Sequence, residues 1–361
     1  MIQIADILPT PLAYAALSAD ELRERILRRK AELNAVILGH NYQRVEIQAV
    51  SDFLGDSLGL SQEAAQTDAD VIVFCGVHFM AETAKILSPE KMVLMPDLRA
   101  GCPMADFVTA DGLRRLKARF PDAAVVTYVN STAEVKAESD ICCTSSNAVE
   151  VVNSFAPDRT LLFVPDRNLA RYSAEKSGRP FLTTSQLSEA VEEIPEGAIV
   201  AWDGYCYVHD DLVLDELAEA KRRYPNAKVV IHPEARRDLL AHADFVTSTS
   251  RMVGLAEEHD ELIIGTERGL IDRLKQQFPE KTLIPLSGAA ICGNMKMNTL
   301  AKLAWSLDHQ KHEVLIPEEV RSRAEAALRR MLDLSGGWRA PTPEEAALED
   351  DGLQAGGCGC A

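Results

Sequence analysis

Several features are scarce or missing in this 361-residue chain. Basic residues are in deficit: 38 Lys and Arg stand against 55 Asp and Glu, a formal net charge of −17. Such a balance argues against non-specific nucleic-acid binding and against docking on anionic membranes, both of which need a basic surface. Long apolar runs are missing, and none approaches the length of a membrane span. The opening residues, MIQIADILPTPLAYAALSADELRERI, show no basic leader followed by an apolar stretch and a cleavage site, so no export signal is expected. No Walker-type loop or GxGxxG run stands out, so a nucleotide cofactor is not indicated. These absences predict a soluble, cytosolic protein with no nucleic-acid or membrane partner. In that setting its eight cysteines suit metal ligation, catalysis or simple burial better than disulfides.

Apolar residues make up 47% of the chain, enough to bury a core. They fall in short runs: AVILG (35–39), VIVFC (71–75), MVLMP (92–96), AVVTYV (124–129), LLFVP (161–165), AIVAW (198–202), KVVIH (228–232), ELIIG (261–265) and TLIPL (282–286). Rich in Val, Ile and Leu and without period-two alternation, they read as strands buried on both faces. Amphipathic helical stretches lie between them, so the fold class is α/β with mostly parallel sheets. Near the end, PEEVRSRAEAALRRMLDL places Val320, Ala324, Leu328, Met331 and Leu332 on one helical face. Beyond Trp338 the composition turns to Pro, Glu, Gly and Asp, and about the last twenty residues are read as mobile.

The strongest signal is an internal repeat. His40, Tyr128 and His232 are equivalent anchors. Two residues on stand Tyr42, Asn130 and Glu234; twelve on, Asp52, Asp140 and Asp244; seventeen on, Ser57, Ser145 and Thr249. No gap is needed over this stretch. Each copy continues through a second strand, a helix and a third strand to a cysteine: Cys102, Cys206 and Cys292. The middle copy carries an insertion around FLTTSQLSEAVEEIPEG. The chain therefore reads as three homologous α/β units with short parallel sheets around a pseudo-threefold axis: 1–115 with an N-terminal helix, 116–215, 216–305, then a C-terminal helix and tail over 306–361.

Residues beyond the C-terminal ends of parallel strands are where α/β proteins gather ligand groups. Singly, each of the three cysteines is best explained as a buried apolar residue. As a repeat-matched set they point to a metal centre: zinc, or a [4Fe–4S] cube on three thiolates with one iron left open. The anchors and their +2 partners face the same way along extended backbone, so His40/Tyr42, Tyr128/Asn130 and His232/Glu234 form a ring of proton donors and acceptors. Ser57, Ser145 and Thr249 each precede a helical run and are N-cap candidates. Three helix starts aimed inward would also attract anions. Cys142 and Cys143 suit burial. His78, Glu82 and His209 suit either outer support of a site or plain packing.

The strings GHNYQ, SDFLGDSL, AGCPMAD, YVNSTAEVKAESD, CTSSNA, GYCYVH, HPEA, TSTSRM and CGNMKMNTL together resemble the bacterial quinolinate synthase family of de novo NAD synthesis, over about residues 20–310. The resemblance implies three α/β domains about a pseudo-threefold axis and one [4Fe–4S] cluster on Cys102, Cys206 and Cys292. It implies condensation of iminoaspartate with dihydroxyacetone phosphate to quinolinate, phosphate and water, and functional coupling to L-aspartate oxidase, by docking or by diffusion of the imine. Its substrate contacts map to His40, Tyr42, Ser57, Tyr128, Val129, Asn130, Ser145, His232, Pro233, Glu234 and Thr249. On their chemistry Tyr42, Tyr128 and Glu234 are the proton-transfer candidates, while the others orient phosphate, carboxylates or carbonyl oxygens. One departure stands out. Where some members carry CxxCxxC ending at the third ligand, this chain has Leu286, Ala289 and Cys292, which removes the basis for disulfide control there. The competing expectations are a three-cysteine cluster reductase such as hydroxymethylbutenyl diphosphate reductase, a cluster-based sensor, and a zinc hydrolase.

Overall fold

The structure, a computed structural model, describes residues 12–187 and 194–335. The tail bearing Cys358 and Cys360, read above as mobile, lies outside the described residues. The first sheet comprises β1 (Ala35–His40), β2 (Phe53–Gly55), β3 (Val71–Cys75) and β4 (Met92–Leu94). The second has β5 (Ala124–Tyr128), β6 (Ile141–Cys143), β7 (Leu161–Val164), β8 (Phe181–Thr183) and β9 (Ile199–Ala201). The third has β10 (Lys228–Ile231), β11 (Phe245–Val246), β12 (Glu261–Gly265) and β13 (Thr282–Pro285). Strand orders are β2-β1-β3-β4, β6-β5-β7-β9-β8 and β11-β10-β12-β13. Every pairing between these strands is parallel. The fold is α/β with three short parallel sheets. All nine apolar runs named above supply strands, and the insertion in the middle copy supplies the extra edge strand β8.

The repeat is visible in individual hydrogen bonds. Each +12 aspartate pins its short edge strand to the first strand of its unit. Asp52 Oδ2 accepts from Ile37 N–H at 2.8 Å, Asp140 Oδ2 from Val125 N–H at 2.7 Å, and Asp244 Oδ2 from Val229 N–H at 2.8 Å. The aspartate N–H returns a bond to the same residue's carbonyl in all three copies. These carboxylates therefore set strand register and do not reach the centre of the molecule.

The cysteine loops are also built alike. The first N–H of the helix after each second strand bonds to the carbonyl two residues before the cysteine: His78 to Ala100 at 2.8 Å, Arg167 to Gly204 at 2.9 Å, and Arg268 to Ala290 at 2.8 Å. In the middle copy this approach requires glycine, because a Cβ on Gly204 would sit 2.5 Å from the Pro165 carbonyl oxygen.

The helices close the ring. After each cysteine the chain forms a helix that packs on the next unit. Leu113 and Leu116 of helix Ala110–Arg119 join Val125, Leu162 and Val200 under the second sheet. Leu217 and Ala220 of helix Leu214–Arg223 join Val229, Ile231 and Ile263 under the third. Leu300, Leu303, Ala304 and Leu307 of helix Leu300–His309 return to the first sheet, against Ile37, Val71, Val73 and Ile26. Leu303 is fully buried there. A Leu303→Ala variant is expected to lose about 2–5 kcal/mol of stability, read as a lowered chemical-denaturation midpoint with the slope unchanged.

The C-terminal helix spans Glu318–Leu334 and buries Ala324, Ala327, Leu328 and Met331, while Val320 and Leu332 pack at its margin. It lies across helices His78–Leu87 and Ala133–Lys136 and strand β6. Among the described residues no helix is long and apolar enough to cross a membrane.

Candidate active site and metal centre

The C-terminal ends of the three sheets converge on one cavity of about 70 Å³. Its walls include His40, Tyr42 and Ser57 from the first unit, Tyr128, Asn130 and Ser145 from the second, and His232, Glu234 and Thr249 from the third. Cys102, Cys206 and Cys292 border the same space. Val129 and Pro233, named from the resemblance, are buried in the backbone segments behind the wall and do not line it.

The two anchor histidines are held alike. The N–H of Tyr42 donates to His40 Nδ1 at 3.1 Å, and that of Glu234 donates to His232 Nδ1 at 3.4 Å. With Nδ1 accepting, the network puts the proton of each neutral ring on Nε2. Burial lowers His40 to about 4 and His232 to about 3. Both rings are thus neutral hydrogen-bond donors near pH 7. Asn41, fully buried, gives its Nδ2–H to Thr249 Oγ1 at 3.0 Å and takes a bond from Arg273 Nη1 at 2.8 Å. Thr249 accepts from Asn41, so its own hydroxyl hydrogen is free to donate.

Ser57, Ser145 and Thr249, expected as N-caps, are not caps. The N-caps are Asp56, Asn147 and Ser248. Ser57 and Thr249 are the first helical residues, and Ser145 stands two positions ahead of its cap. The Asp56 carboxylate takes the Gly59 N–H at 3.0 Å, which spares the Ser57 hydroxyl that duty.

Glu234 is the electrostatic centre. Tyr128 O–H donates to its Oε1. His209 Nδ1 lies 2.7 Å from its Oε2. The far side of His209 meets Thr266 Oγ1 at 2.9 Å, and Thr266 Oγ1 in turn meets the Tyr42 hydroxyl at 2.6 Å. One directional assignment satisfies every group: Tyr42 to Thr266, Thr266 to His209 Nε2, His209 Nδ1–H to Glu234, and Tyr128 to Glu234. Two phenols are thereby joined through one carboxylate. Burial by itself would raise Glu234, but the His232 and His209 imidazoles and the His209 and Tyr128 donors outweigh it and hold the carboxyl below its ordinary range. Burial, reinforced by the Glu234 charge, pushes both phenols well up, so they stay protonated. His209 was visible in sequence only as one of three undecided groups, although it stands three residues after Cys206. Thr266 carries no sequence signal of its own.

Cys102, Cys206 and Cys292 are half-buried, in contrast with the buried Cys75, Cys142 and Cys143. N–H groups of the turn that follows each cysteine favour its thiolate: those of Ala105 and Met104 for Cys102, His209 for Cys206, and Met295 and Asn294 for Cys292. Burial raises all three thiols, Cys102 to about 12, and for each of Cys102 and Cys206 the charge of another member of the set adds to the rise. Three soft donors on loops of one build, each already supplied with N–H groups that stabilise a thiolate, suit a metal centre that displaces the thiol protons. A second group able to hold a metal ion overlaps it: Cys206, His209 and Glu234 bring ligand atoms within 4.8 Å of one another. However, both His209 nitrogens and both Glu234 oxygens are already committed to the relay above.

The sequence profile of the family described as quinolinate synthetase A protein matches residues 24–333. A quinolinate synthase of Dehalococcoides mccartyi (strain CBDB1) is 50% identical over 313 residues, covering 86% of this chain and 97% of that protein. One from Desulforudis audaxviator is 48% identical over 318 residues, 88% of this chain and 99% of its own. Quinolinate synthase 1 of Methanosarcina acetivorans is 50% identical over 314 residues, 86% and 97% of the two chains.

Proposed function

Since the chain belongs to the quinolinate synthetase A family, and is an enzyme of that type serving NAD biosynthesis, we propose that its central cavity condenses iminoaspartate with dihydroxyacetone phosphate. The products are quinolinate, phosphate and two waters, and the sum is redox-neutral. The observation carrying this reading is the convergence of three repeat-matched residue sets, together with three thiols, on one cavity.

The donor set fits a [4Fe–4S] cluster on Cys102, Cys206 and Cys292. Such a cluster would supply an iron without a protein ligand, able to act as a Lewis acid on a substrate oxygen. The chain's own residues account for the rest. His40 Nε2–H, His232 Nε2–H and the Thr249 hydroxyl are neutral donors held by their own partners, and with Ser57 and Ser145 they bind and orient phosphate and carboxylates. Neutral donors suit an anionic occupant without fixing it through full charge pairing. Asn130 holds a carboxylate or carbonyl oxygen through its amide. Glu234 takes protons as a base. The phenols of Tyr128 and Tyr42 return them, with His209 and Thr266 keeping the two phenols in communication. The L-aspartate oxidase that generates the imine is the natural supplier of the first substrate.

The test is product formation by anaerobically reconstituted full-length chain, given both substrates and no reductant, with iron and sulfide counted on the same sample. Quinolinate should appear. A full cluster with no quinolinate sinks the reaction. Turnover that appears only with a reductant would favour the reductase alternative.

A further inference from the structure

Among the buried charged side chains outside the relay are Lys136 and Glu82. Lys136 is fully buried and Glu82 nearly so. Lys136 Nζ donates to the Ser131 carbonyl at 2.5 Å and stands 5.4 Å from the Phe79 ring centre. Glu82 Oε2 accepts the Ala133 N–H at 3.1 Å. Burial lowers Lys136 and raises Glu82, to about 7, and each one's charge opposes the other's shift; Glu82 Oε1 itself stands 3.5 Å from His78 Nδ1. They come from different units: Glu82 from helix His78–Leu87, which also carries the cavity-lining Phe79 and Met80, and Lys136 from the short helix after β5. The C-terminal helix packs over both helices.

These grips follow directly on the stretch Tyr128 to Asn130, whose first and last residues line the cavity. Within it the Asn130 Oδ1 is buried with no partner among the described residues. Its side chain gains no aim from that atom, so its direction is set by the backbone that carries it. That backbone is gripped at Ser131 by Lys136 and at Ala133 by Glu82.

We propose that Glu82 and Lys136 are positioning residues, which clamp the Ser131–Ala133 backbone across two units and thereby aim Asn130 and Tyr128 at the cavity's occupant. The proposal rests on the functional reading above for what the occupant is, but not for the clamp itself. An apolar pair at these positions removes both buried charges together, so it avoids the lone uncompensated charge that makes a single replacement costly, while the Ser131 carbonyl and Ala133 N–H lose their side-chain partners. What it would lose is the grip.

The experiment uses reconstituted full-length chain and compares wild type with Lys136→Met, Glu82→Leu, Glu82→Gln and the Glu82→Leu/Lys136→Met double variant. The double variant guards against a single variant failing to fold, since it leaves no lone buried charge. In it, hydrogen exchange of peptides over 128–136 should quicken about tenfold or more while those over 161–164 stay unchanged, and KM for the imine should rise about tenfold, since small misplacements are costly. Glu82→Gln, which keeps an acceptor for Ala133 N–H, should recover most of what Glu82→Leu loses. Unchanged exchange over 128–136, wild-type KM in the double variant, or Glu82→Gln as impaired as Glu82→Leu would each overturn the clamp. Quickened exchange in a chain whose wild type makes no quinolinate would support the clamp and reject the functional reading alone.

Discussion

Glu234→Gln is expected to cut turnover by about 10²–10⁴-fold, the range for a lost general base, while leaving iron per chain unchanged. The carboxylate now accepts from two donors, Tyr128 O–H on one oxygen and His209 Nδ1 on the other. An amide has one accepting oxygen. Its NH2 must face either the phenol or the imidazole, and one of those must then reverse. If His209 reverses, its Nε2–H becomes the donor to Thr266 Oγ1, so that bond changes direction while Thr266 keeps its contact with Tyr42. One substitution thus removes the base and interrupts the one-way donor chain from Tyr42 to the carboxylate. The measurement is kcat with iron counted on the same protein. Full turnover would remove Glu234 from proton transfer. Loss of metal along with turnover would instead favour the group of Cys206, His209 and Glu234 as the true metal site.

The second large effect separates the two metal readings from the other side. Cys102→Ser, Cys206→Ser and Cys292→Ser are each expected to abolish the reconstituted cluster's absorbance and bring quinolinate formation to background, because a cube held by three thiolates has no ligand to spare. The folds should survive, since all three sulfurs sit at half-buried loop positions rather than in the sheets. A single ion on Cys206, His209 and Glu234 predicts something different: only Cys206→Ser would lose metal, and the Cys102 and Cys292 variants would keep it. Metal analysis of the three serine variants decides between them.

What the sequence made legible follows from burial. Strands covered on both faces are continuous apolar runs, and all nine were visible. The four that were not, β2, β6, β8 and β11, are two- or three-residue edges. SDFLG or ADFV shows too few residues for a period, and its position is set by an aspartate bond to the neighbouring strand. The repeat exposed the anchors, their +2 partners and the cysteines because all three copies keep the same offsets. Thr266 and Asn41 stayed hidden because their work is tertiary: each finds its partner more than fifty residues away. The capping error has a local cause. Ser57 follows an aspartate and Thr249 follows a serine, and the earlier residue takes the cap, leaving the later hydroxyl turned to the cavity. Leu286 is a core residue of the third unit, and Ala289 is exposed.

The handing-on of helices from unit to unit fixes an order of completion. A chain leaves the ribosome from its N-terminus, and units tend to fold as they emerge. The second and third sheets receive their covering helices, Ala110–Arg119 and Leu214–Arg223, just ahead of their own strands. The first sheet does not: Ile37, Val71 and Val73 stay half-covered until Leu303 and Leu307 have been made. The unit synthesised first is therefore finished last. The cavity draws one wall from each unit, so it closes only after nearly the whole chain is out, and a nascent chain has no finished pocket to load.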